Sequence, residues 1–236
     1  MTGQAQKVKG VVDMVFVIDA TGSMTPCIDA LKGNLEAFID GLHGGNLPIK
    51  SWRGRVVGYR DYEADANPLE DHPFVGDVEA LKAQLRTLKA EGGGDEPESL
   101  LDALYKVATT EQGAKGATED PDKWRYRSEA TRVVIVFTDA SYKPSMAIAE
   151  ARGGTLDDLA NALTNGRIFL NLFVPNLPCY VTMSSLDKCE VETFDAVDGS
   201  LQKGLEALSA DKPRFRKILE QMAKSVSASA EVPPLE

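Results

Sequence analysis

The sequence predicts an α/β protein with a doubly wound, mostly parallel central sheet and helices on both faces. Short apolar runs such as VVIVF at residues 133–137 lack polar alternation, which is typical of strands buried on both sides. Segments with apolar residues every three or four positions lie between these runs and indicate amphipathic helices. Because the two patterns alternate along a chain of 236 residues, one domain with parallel strands is favoured.

Six apolar segments are expected to form the sheet. They lie at residues 11–18, 52–62, 74–75, 131–140, 168–174 and 191–197. The fourth, TRVVIVFTDA, is the clearest strand because it has an unbroken run of β-branched and aromatic residues. The two-residue segment is expected at an edge of the sheet and residues 112–128 in a loop. Residues 178–200 are expected to be irregular, apart from the last strand at residues 191–197.

Five helices are expected between and after these strands. They start at Thr25, at Asp77, at Pro97 and at Thr155, and the last covers residues 215–226. Thr25 followed by Pro26 is typical of an N-cap and a first helical position, and Gly44-Gly45 is expected to end that helix. The amphipathic spacing of each segment predicts that one side faces the sheet.

Composition and charge limit the functions to be considered. The chain contains 26 Lys and Arg residues against 36 Asp and Glu residues, a net charge of −10. A surface of this sign repels phosphate backbones, so nucleic-acid binding is not expected. We expect one domain over residues 10–227, with flexible ends at residues 1–9 and 228–236.

The sequence also predicts a cytoplasmic location. No segment approaches the ~20 apolar residues that cross a bilayer, and the polar N-terminus lacks the apolar region of a signal peptide. Three cysteines, an odd number, indicate reduced thiols, with a bridge between Cys179 and Cys189 as the alternative.

Polar residues follow two of the predicted strands at the point where each strand ends. The run VFVID ends on Asp19, and hydroxyl groups follow at Thr21 and Ser23. The run VIVFTD ends on Asp139. Because ligands of parallel sheets bind beyond the carboxyl ends of the strands, these side chains are expected to share one crevice. Oxygen ligands without histidine or thiol suit Mg²⁺ best, with Mn²⁺ or Ca²⁺ as alternatives.

These motifs resemble the von Willebrand factor type A domain. That family carries a metal-ion-dependent adhesion site written Asp-x-Ser-x-Ser, completed by a Thr from a second loop and an Asp from a third. DATGS, the glycine-rich GGGDEPES at residues 92–99 and the later FTD match the three loops in order. The resemblance is most like bacterial single-domain members, spans residues 10–225 and implies a Rossmann-like fold. It also implies metal ligands at Asp19, Thr21, Ser23 and Asp139.

The second loop departs from the family pattern, because Asp95 stands where the family usually has Thr. As a ligand, directly or through water, Asp95 adds a third carboxylate, which tightens metal binding and weakens capture of an acidic partner. Asp95 and Glu98 also fit a capping box at the start of a helix, and the two roles are compatible.

The site residues also have purely structural interpretations. Asp19 and Asp139 fit turn positions, and Thr21 and Ser23 fit helix caps. Arg60 and Asp61 in GYRDY match a family signature but also fit an ion pair at a strand end. Tyr142 and Lys143 fit a solvated loop or a partner surface.

The resemblance implies a binding module whose metal ion takes a Glu or Asp side chain from a partner protein. Bacterial members often act beside AAA+ ATPases, or beside kinases and phosphatases in stress responses. No nucleophile–base pair accompanies the site, so we expect no enzymatic activity. One alternative is a Mg²⁺-dependent phosphohydrolase of haloacid-dehalogenase type, with Asp19 as nucleophile, Thr138 as phosphate ligand and Lys143 as base. The other is a scaffold with a vestigial site.

Overall fold

A computed structural model of the chain describes residues 10–43, 49–93 and 96–231. It contains one six-stranded sheet in the order β3-β2-β1-β4-β5-β6. The strands are β1 Val11–Asp19, β2 Ser51–Tyr59, β3 Leu69–Asp71, β4 Thr131–Phe137, β5 Ile168–Pro175 and β6 Cys189–Phe194. Every neighbouring pair is parallel except β2 and β3, which are antiparallel. The predicted mostly parallel sheet is therefore confirmed.

Helices cover both faces of this sheet. They are α1 Thr25–Leu42, α2 Val78–Thr87, α3 Leu100–Ala108, α4 Leu156–Gly166, α5 Pro178–Ser184, α6 Leu201–Ala210 and α7 Lys212–Glu231. Short 3-10 helices lie at Gly22–Met24 and Ala149–Ala151. Side chains of α1, α2, α6 and α7 form one apolar core, and side chains of α3, α4 and α5 form a second on the opposite face. The arrangement is the predicted doubly wound α/β fold.

Strand β1 contributes to both cores because successive side chains of a strand point to opposite faces. Phe16 and Ile18 pack in the first core, whereas Val15 and Val17 pack in the second. Burial on both faces explains why the segment is apolar at nearly every position rather than at alternate positions.

The chain changes direction across the sheet between β1 and β4. From β1 it passes to β2 and β3 on one side, then crosses to β4, β5 and β6 on the other. The register pairs Ile18 with Phe137, so Asp19 and the residues that follow Phe137 meet at the same edge. Such a switch point is where α/β sheets bind ligands.

The prediction of an edge strand at Phe74–Val75 is wrong. The edge strand beside β2 is β3, whose sequence LED has no apolar pattern that would reveal it. Val75 only forms an isolated bridge with Gly54, and Phe74 packs against Trp124 with ring centroids 5.1 Å apart. Strand β2 also ends at Tyr59 rather than residue 62, because the Arg60 amide already bonds to the Pro68 carbonyl.

The structure contains two helices in or after the segment expected to be irregular. Helix α5 begins with Pro178 at its first turn, where the missing amide proton costs nothing. Helix α6 begins after Ser200, whose hydroxyl accepts from the Lys203 amide at 3.3 Å. Strand β6 consequently ends at Phe194 instead of residue 197.

Helix boundaries differ from the predictions at three further places. Helix α3 begins at Leu100 instead of Pro97. Helix α4 was predicted from Thr155 to Leu163 and covers Leu156–Gly166. Helix α7 continues to Glu231, so part of the tail predicted from residue 228 is helical. The other predicted ends, residues 1–9 and 232–236, and the glycines expected to end α1 lie outside the described residues.

The structure also bears on the cysteines and on membrane-spanning helices. All three cysteines are unpaired, so the alternative of a Cys179–Cys189 bridge is wrong. Across residues 10–43, 49–93 and 96–231, no helix has both the length and the apolar character needed to cross a membrane.

Candidate metal site

The first loop is organised around the carboxylate of Asp19, which ends β1 and is completely buried. Its Oδ1 atom accepts hydrogen bonds from the Thr21 amide at 3.0 Å and the Thr21 hydroxyl at 2.7 Å. Its Oδ2 atom accepts from the Thr138 hydroxyl at 2.7 Å and from the Tyr59 hydroxyl at 3.5 Å. Asp19 therefore fixes both its own loop and the end of β4.

The third loop meets the first through a side-chain hydrogen bond. Ser23 Oγ donates to Asp139 Oδ1 at 3.0 Å, and Ser23 Oγ lies 3.4 Å from Thr21 Oγ1. Four of the five predicted site residues thus lie together: Asp19, Thr21, Ser23 and Asp139. An ionised carboxylate only accepts, so the protons of both hydroxyls point at carboxylates and the hydroxyl lone pairs stay available to a cation.

Structural interpretations of the two hydroxyl residues are not supported. Thr21 precedes the short 3-10 helix, but its side chain makes no capping bond, and helix α1 has Met24 at its N-cap. Thr25 instead donates its hydroxyl proton to the Gly22 carbonyl at 3.0 Å. The loop between β1 and α1 is thus held by Asp19, not by helix caps.

The carboxyl groups of Asp19 and Asp139 have raised pKa values. Burial raises the pKa of Asp19, against the effect of its hydrogen bonds. Burial and the charge of Asp19 raise the pKa of Asp139 to about 7. Below them, burial and the same two carboxylates raise the pKa of the Cys27 thiol, which stays protonated. A bound cation would stabilise the ionised form of both carboxyl groups.

Glu98 is a site residue that we did not predict as such. Its side chain is only 5% exposed, and its buried Oε2 atom has no hydrogen-bond partner among residues 10–43, 49–93 and 96–231. A Cβ atom added to Gly93 would lie 2.8 Å from Thr21 Cγ2 and 3.1 Å from Glu98 Oε1, so these three residues adjoin. Burial, followed by the charges of Asp19 and Asp61, raises the pKa of Glu98 to about 8.

The role predicted for Asp95 cannot be compared with coordinates, because Asp95 lies outside the described residues. The capping box predicted for Asp95 and Glu98 is wrong. Ser99 occupies the N-cap of α3, and its side chain makes no capping bond. Glu98 therefore does not stand at the third helical position that a capping box requires. Glu98 in GGGDEPES was the signal for this site residue in the sequence, and we interpreted it as part of a capping box.

Arg60 and Asp61 bond to residues before the glycine-rich loop and after β4, but they do not form an ion pair with each other. The Arg60 guanidinium donates to the carbonyls of Lys89 at 2.7 Å and Glu91 at 2.8 Å, just before the glycine-rich loop. Asp61 instead accepts from Lys143 Nζ at 2.6 Å, and Lys143 also bonds Glu63 at 2.6 Å. Although burial opposes it, Lys143 lowers the pKa of Asp61.

The donor set is that of a hard divalent cation. No group of three or more His, Cys, Asp or Glu side chains suited to a metal ion occurs in the described part of the chain. The set at this edge instead combines two carboxylates with two hydroxyls, all oxygen. Buried carboxyl groups with raised pKa values and the unpartnered Glu98 oxygen fit such an ion.

Comparisons with known proteins agree with this architecture. A family model described as von Willebrand factor A domain matches residues 13–116, which include β1, the first loop and α3. An alpha-protein kinase vwkA from Dictyostelium discoideum is 22% identical over 98% of the chain. A putative ariadne-like RING finger protein R811 from Acanthamoeba polyphaga mimivirus is 33% identical over 39% of the chain.

Both relatives are much longer than the chain, which covers 35% of the kinase and 9% of the RING finger protein. The match of the family model, the near full-length similarity to vwkA and the doubly wound sheet agree with one another. The chain therefore resembles the von Willebrand factor A domain, whose family model it matches over residues 13–116.

Proposed function

We propose that the protein is a metal-dependent protein-binding module and not an enzyme. Domains of this family act generally as protein-interaction modules, which supports a protein partner. The observation that carries the proposal is the meeting of two hydroxyl–carboxylate pairs, Thr21 with Asp19 and Ser23 with Asp139. Their oxygens would hold Mg²⁺, with Mn²⁺ or Ca²⁺ as alternatives.

The ion, when bound, supplies a positive charge that attracts an acidic side chain. Ser23 is partly exposed, whereas Asp19 is completely covered. Asp19 therefore orients Thr21 and balances the charge of the cation from beneath. A Glu or Asp side chain of the partner protein would be recognised at the open side.

The phosphohydrolase alternative has less support from the geometry. A nucleophile must reach its substrate, but both oxygens of Asp19 accept hydrogen bonds and the residue has no exposed surface. Lys143, the base in that alternative, bonds to Asp61 and Glu63.

The cellular setting is proposed from the family resemblance alone. A cytoplasmic location and a complex with an AAA+ ATPase, or with kinases and phosphatases, are implied by resemblance to bacterial members. Neither of the two relatives reported above is bacterial, so a bacterial origin remains our prediction.

Calorimetric titration of Mg²⁺, Mn²⁺ and Ca²⁺ into the protein tests metal binding. We expect saturable binding of at least Mg²⁺ by the unaltered chain and a loss of at least about tenfold in affinity for Asp139→Asn, because a charged ligand is removed. Asp29→Asn is the matched control, since this acid is exposed and pairs only with Lys32. If none of the three ions gives measurable heat of binding, the scaffold with a vestigial site is favoured instead.

Glu98→Gln extends the same titration to the buried glutamate. We expect weaker Mg²⁺ binding, because the variant keeps the shape of the side chain but cannot ionise beside Thr21 when a cation binds. Glu91→Gln is the control in the same loop, since its side chain is exposed and only its carbonyl is used by Arg60.

Partner binding and phosphatase activity separate the two functions. A partner captured in Mg²⁺ and released in EDTA supports the module, particularly if Asp139→Asn fails to capture it. Turnover of a generic phosphate ester that requires Mg²⁺ and disappears in Asp19→Asn would contradict it.

A further inference from the structure

A cavity of about 560 Å³ lies at the amino-terminal edge of β4, far from the candidate metal site. Its polar lining includes Thr110, Gln112, Arg127, Arg132, Asn161 and Asn165. Arg132 is near the start of β4, whereas Asp139 follows its end, so the length of the strand separates the two places.

Three arginines give this cavity a positive charge in an otherwise acidic protein. Arg127 and Arg132 line it, and Arg167 follows Gly166, which also lines it. Ion pairs with described acids are formed by other arginines, namely Arg53, Arg55, Arg86, Arg125 and Arg216. Arg132 is only 5% exposed, and burial lowers its pKa to about 10; Asp13 opposes this shift, while Arg127 and Arg167 add to it.

The hydrogen bonds of these guanidinium groups leave several donors unused. Arg132 donates to neutral acceptors, the carbonyls of Gly166 at 3.1 Å and Arg125 at 2.8 Å and the Gln112 side chain at 2.5 Å. Its Nε and the Nη1 of Arg167 are buried without a partner among the described residues. A buried cation without an anion is costly, so the arrangement fits a site that an anion completes.

We propose that this cavity binds the phosphate group of a small molecule. Planar guanidinium groups match phosphate oxygens with paired donors, and the exposed Arg127 can reach a ligand from the rim. Side-chain amides of Gln112, Asn161 and Asn165 add uncharged donors around it. The acid at the cavity, Asp158, accepts from the Thr155 amide at 2.8 Å and so serves the start of α4.

Titration with inorganic phosphate, followed by ¹H–¹⁵N NMR at constant ionic strength, tests this proposal. EDTA is present so that phosphate cannot bind through a divalent ion at the other edge of the sheet. We expect saturable shifts at Gln112, Asn161 and Asn165, and an affinity about tenfold lower in Arg127→Gln, because one charged donor is lost. Arg214→Gln, the same change at an exposed arginine of α7, is expected to leave the affinity within about twofold.

A second variant, Arg132→Gln at the buried arginine, and a titration with acetate in place of phosphate complete the experiment. Arg127→Gln keeps the test valid if the buried variant fails to fold, because Arg127 is exposed. Absence of saturable shifts up to about 50 mM phosphate would overturn the proposal, since weaker binding has no use at cellular concentrations. Equal binding of acetate, or equal losses in Arg127→Gln and Arg214→Gln, would overturn the assignment to phosphate in this cavity.

Discussion

Single residues at the site show which chemistry the local sequence reveals and which it hides. Asp19, Thr21 and Ser23 are separated by fixed short spacings after a strand, so their proximity follows from one loop. Glu98 adjoins Thr21 and Gly93 through a contact between residues far apart in the chain. The pairing of Lys143 with Asp61 likewise joins residues far apart in the chain. No pattern in the sequence encodes such tertiary contacts.

Asp102 in α3 provides a pH-dependent test at the scale of one residue. It is completely buried, and its Oδ1 accepts from the amides of Ala147 at 2.7 Å and Ile148 at 2.6 Å. Its Oδ2 has no partner in the part of the chain that the structure describes. Burial raises its pKa above the model-peptide value of 3.8, against these hydrogen bonds. The folded state therefore holds the proton more tightly than the unfolded chain does.

We expect wild type to lose unfolding free energy relative to Asp102→Asn as pH rises from about 4 through the raised pKa. Below pH 3.8, Asp102 is protonated in both the folded and the unfolded state. The wild type therefore has its full unfolding free energy relative to Asp102→Asn in that range. Urea denaturation across this range measures the difference, with Asp187→Asn, at an exposed residue, as the control. A pH-independent difference between wild type and Asp102→Asn would contradict the assignment.

At the scale of elements, the strongly apolar strands were predictable and the short polar elements were not. Burial on both faces left an unbroken apolar run in β1, β4 and β5, whereas β3 has three residues and no such run. Helix α6 was missed because Gly204 interrupts its pattern. A Cβ atom at Gly204 would lie 2.2 Å from the Asp195 carbonyl oxygen, so tertiary packing requires a residue that helix propensity disfavours.

Two glycines of α1 form a matched pair for a test of helix packing. A Cβ atom at Gly41 would lie 2.9 Å from Ala223 Cβ of α7, whereas one at Gly33 meets nothing within 4 Å. We expect Gly33→Ala to stabilise the protein by up to about 1 kcal/mol through helix propensity. We expect Gly41→Ala to destabilise it by about 1–3 kcal/mol, because α1 and α7 must move apart. Chemical denaturation measures both, and equal effects would show that α7 does not pack this closely.

At the scale of the whole molecule, the family match and the folding unit are not the same. The matched segment, residues 13–116, lacks β4, which is the neighbour of β1 in the sheet and supplies Asp139. Helix α7 also lies outside that segment, yet it covers the core next to α1. The doubly wound class was predictable from the alternation of elements, but these long-range dependencies come from the topology.

Removing α7 is therefore expected to prevent folding. Its side chains Phe215, Ile218, Leu219, Met222 and Val226 are buried. At about 1.5–3 kcal/mol each, they contribute as much as the 5–15 kcal/mol by which a typical domain is stable. We expect a chain of residues 10–231 to unfold cooperatively in urea, and one of residues 10–211 to show no such transition. A cooperative transition in the shorter chain would mean that the rest of the sheet is stable without α7.

The hydrogen bond between Ser23 and Asp139 also has a consequence for biosynthesis. A ribosome releases the first loop early, but the acid that completes the site emerges after more than a hundred further residues. Until β4 inserts beside β1, a nascent chain carries Asp19, Thr21 and Ser23 but lacks Asp139. Ion capture should consequently be a late event that reports a finished sheet, and a chain arrested before β4 should be unable to retain the cation.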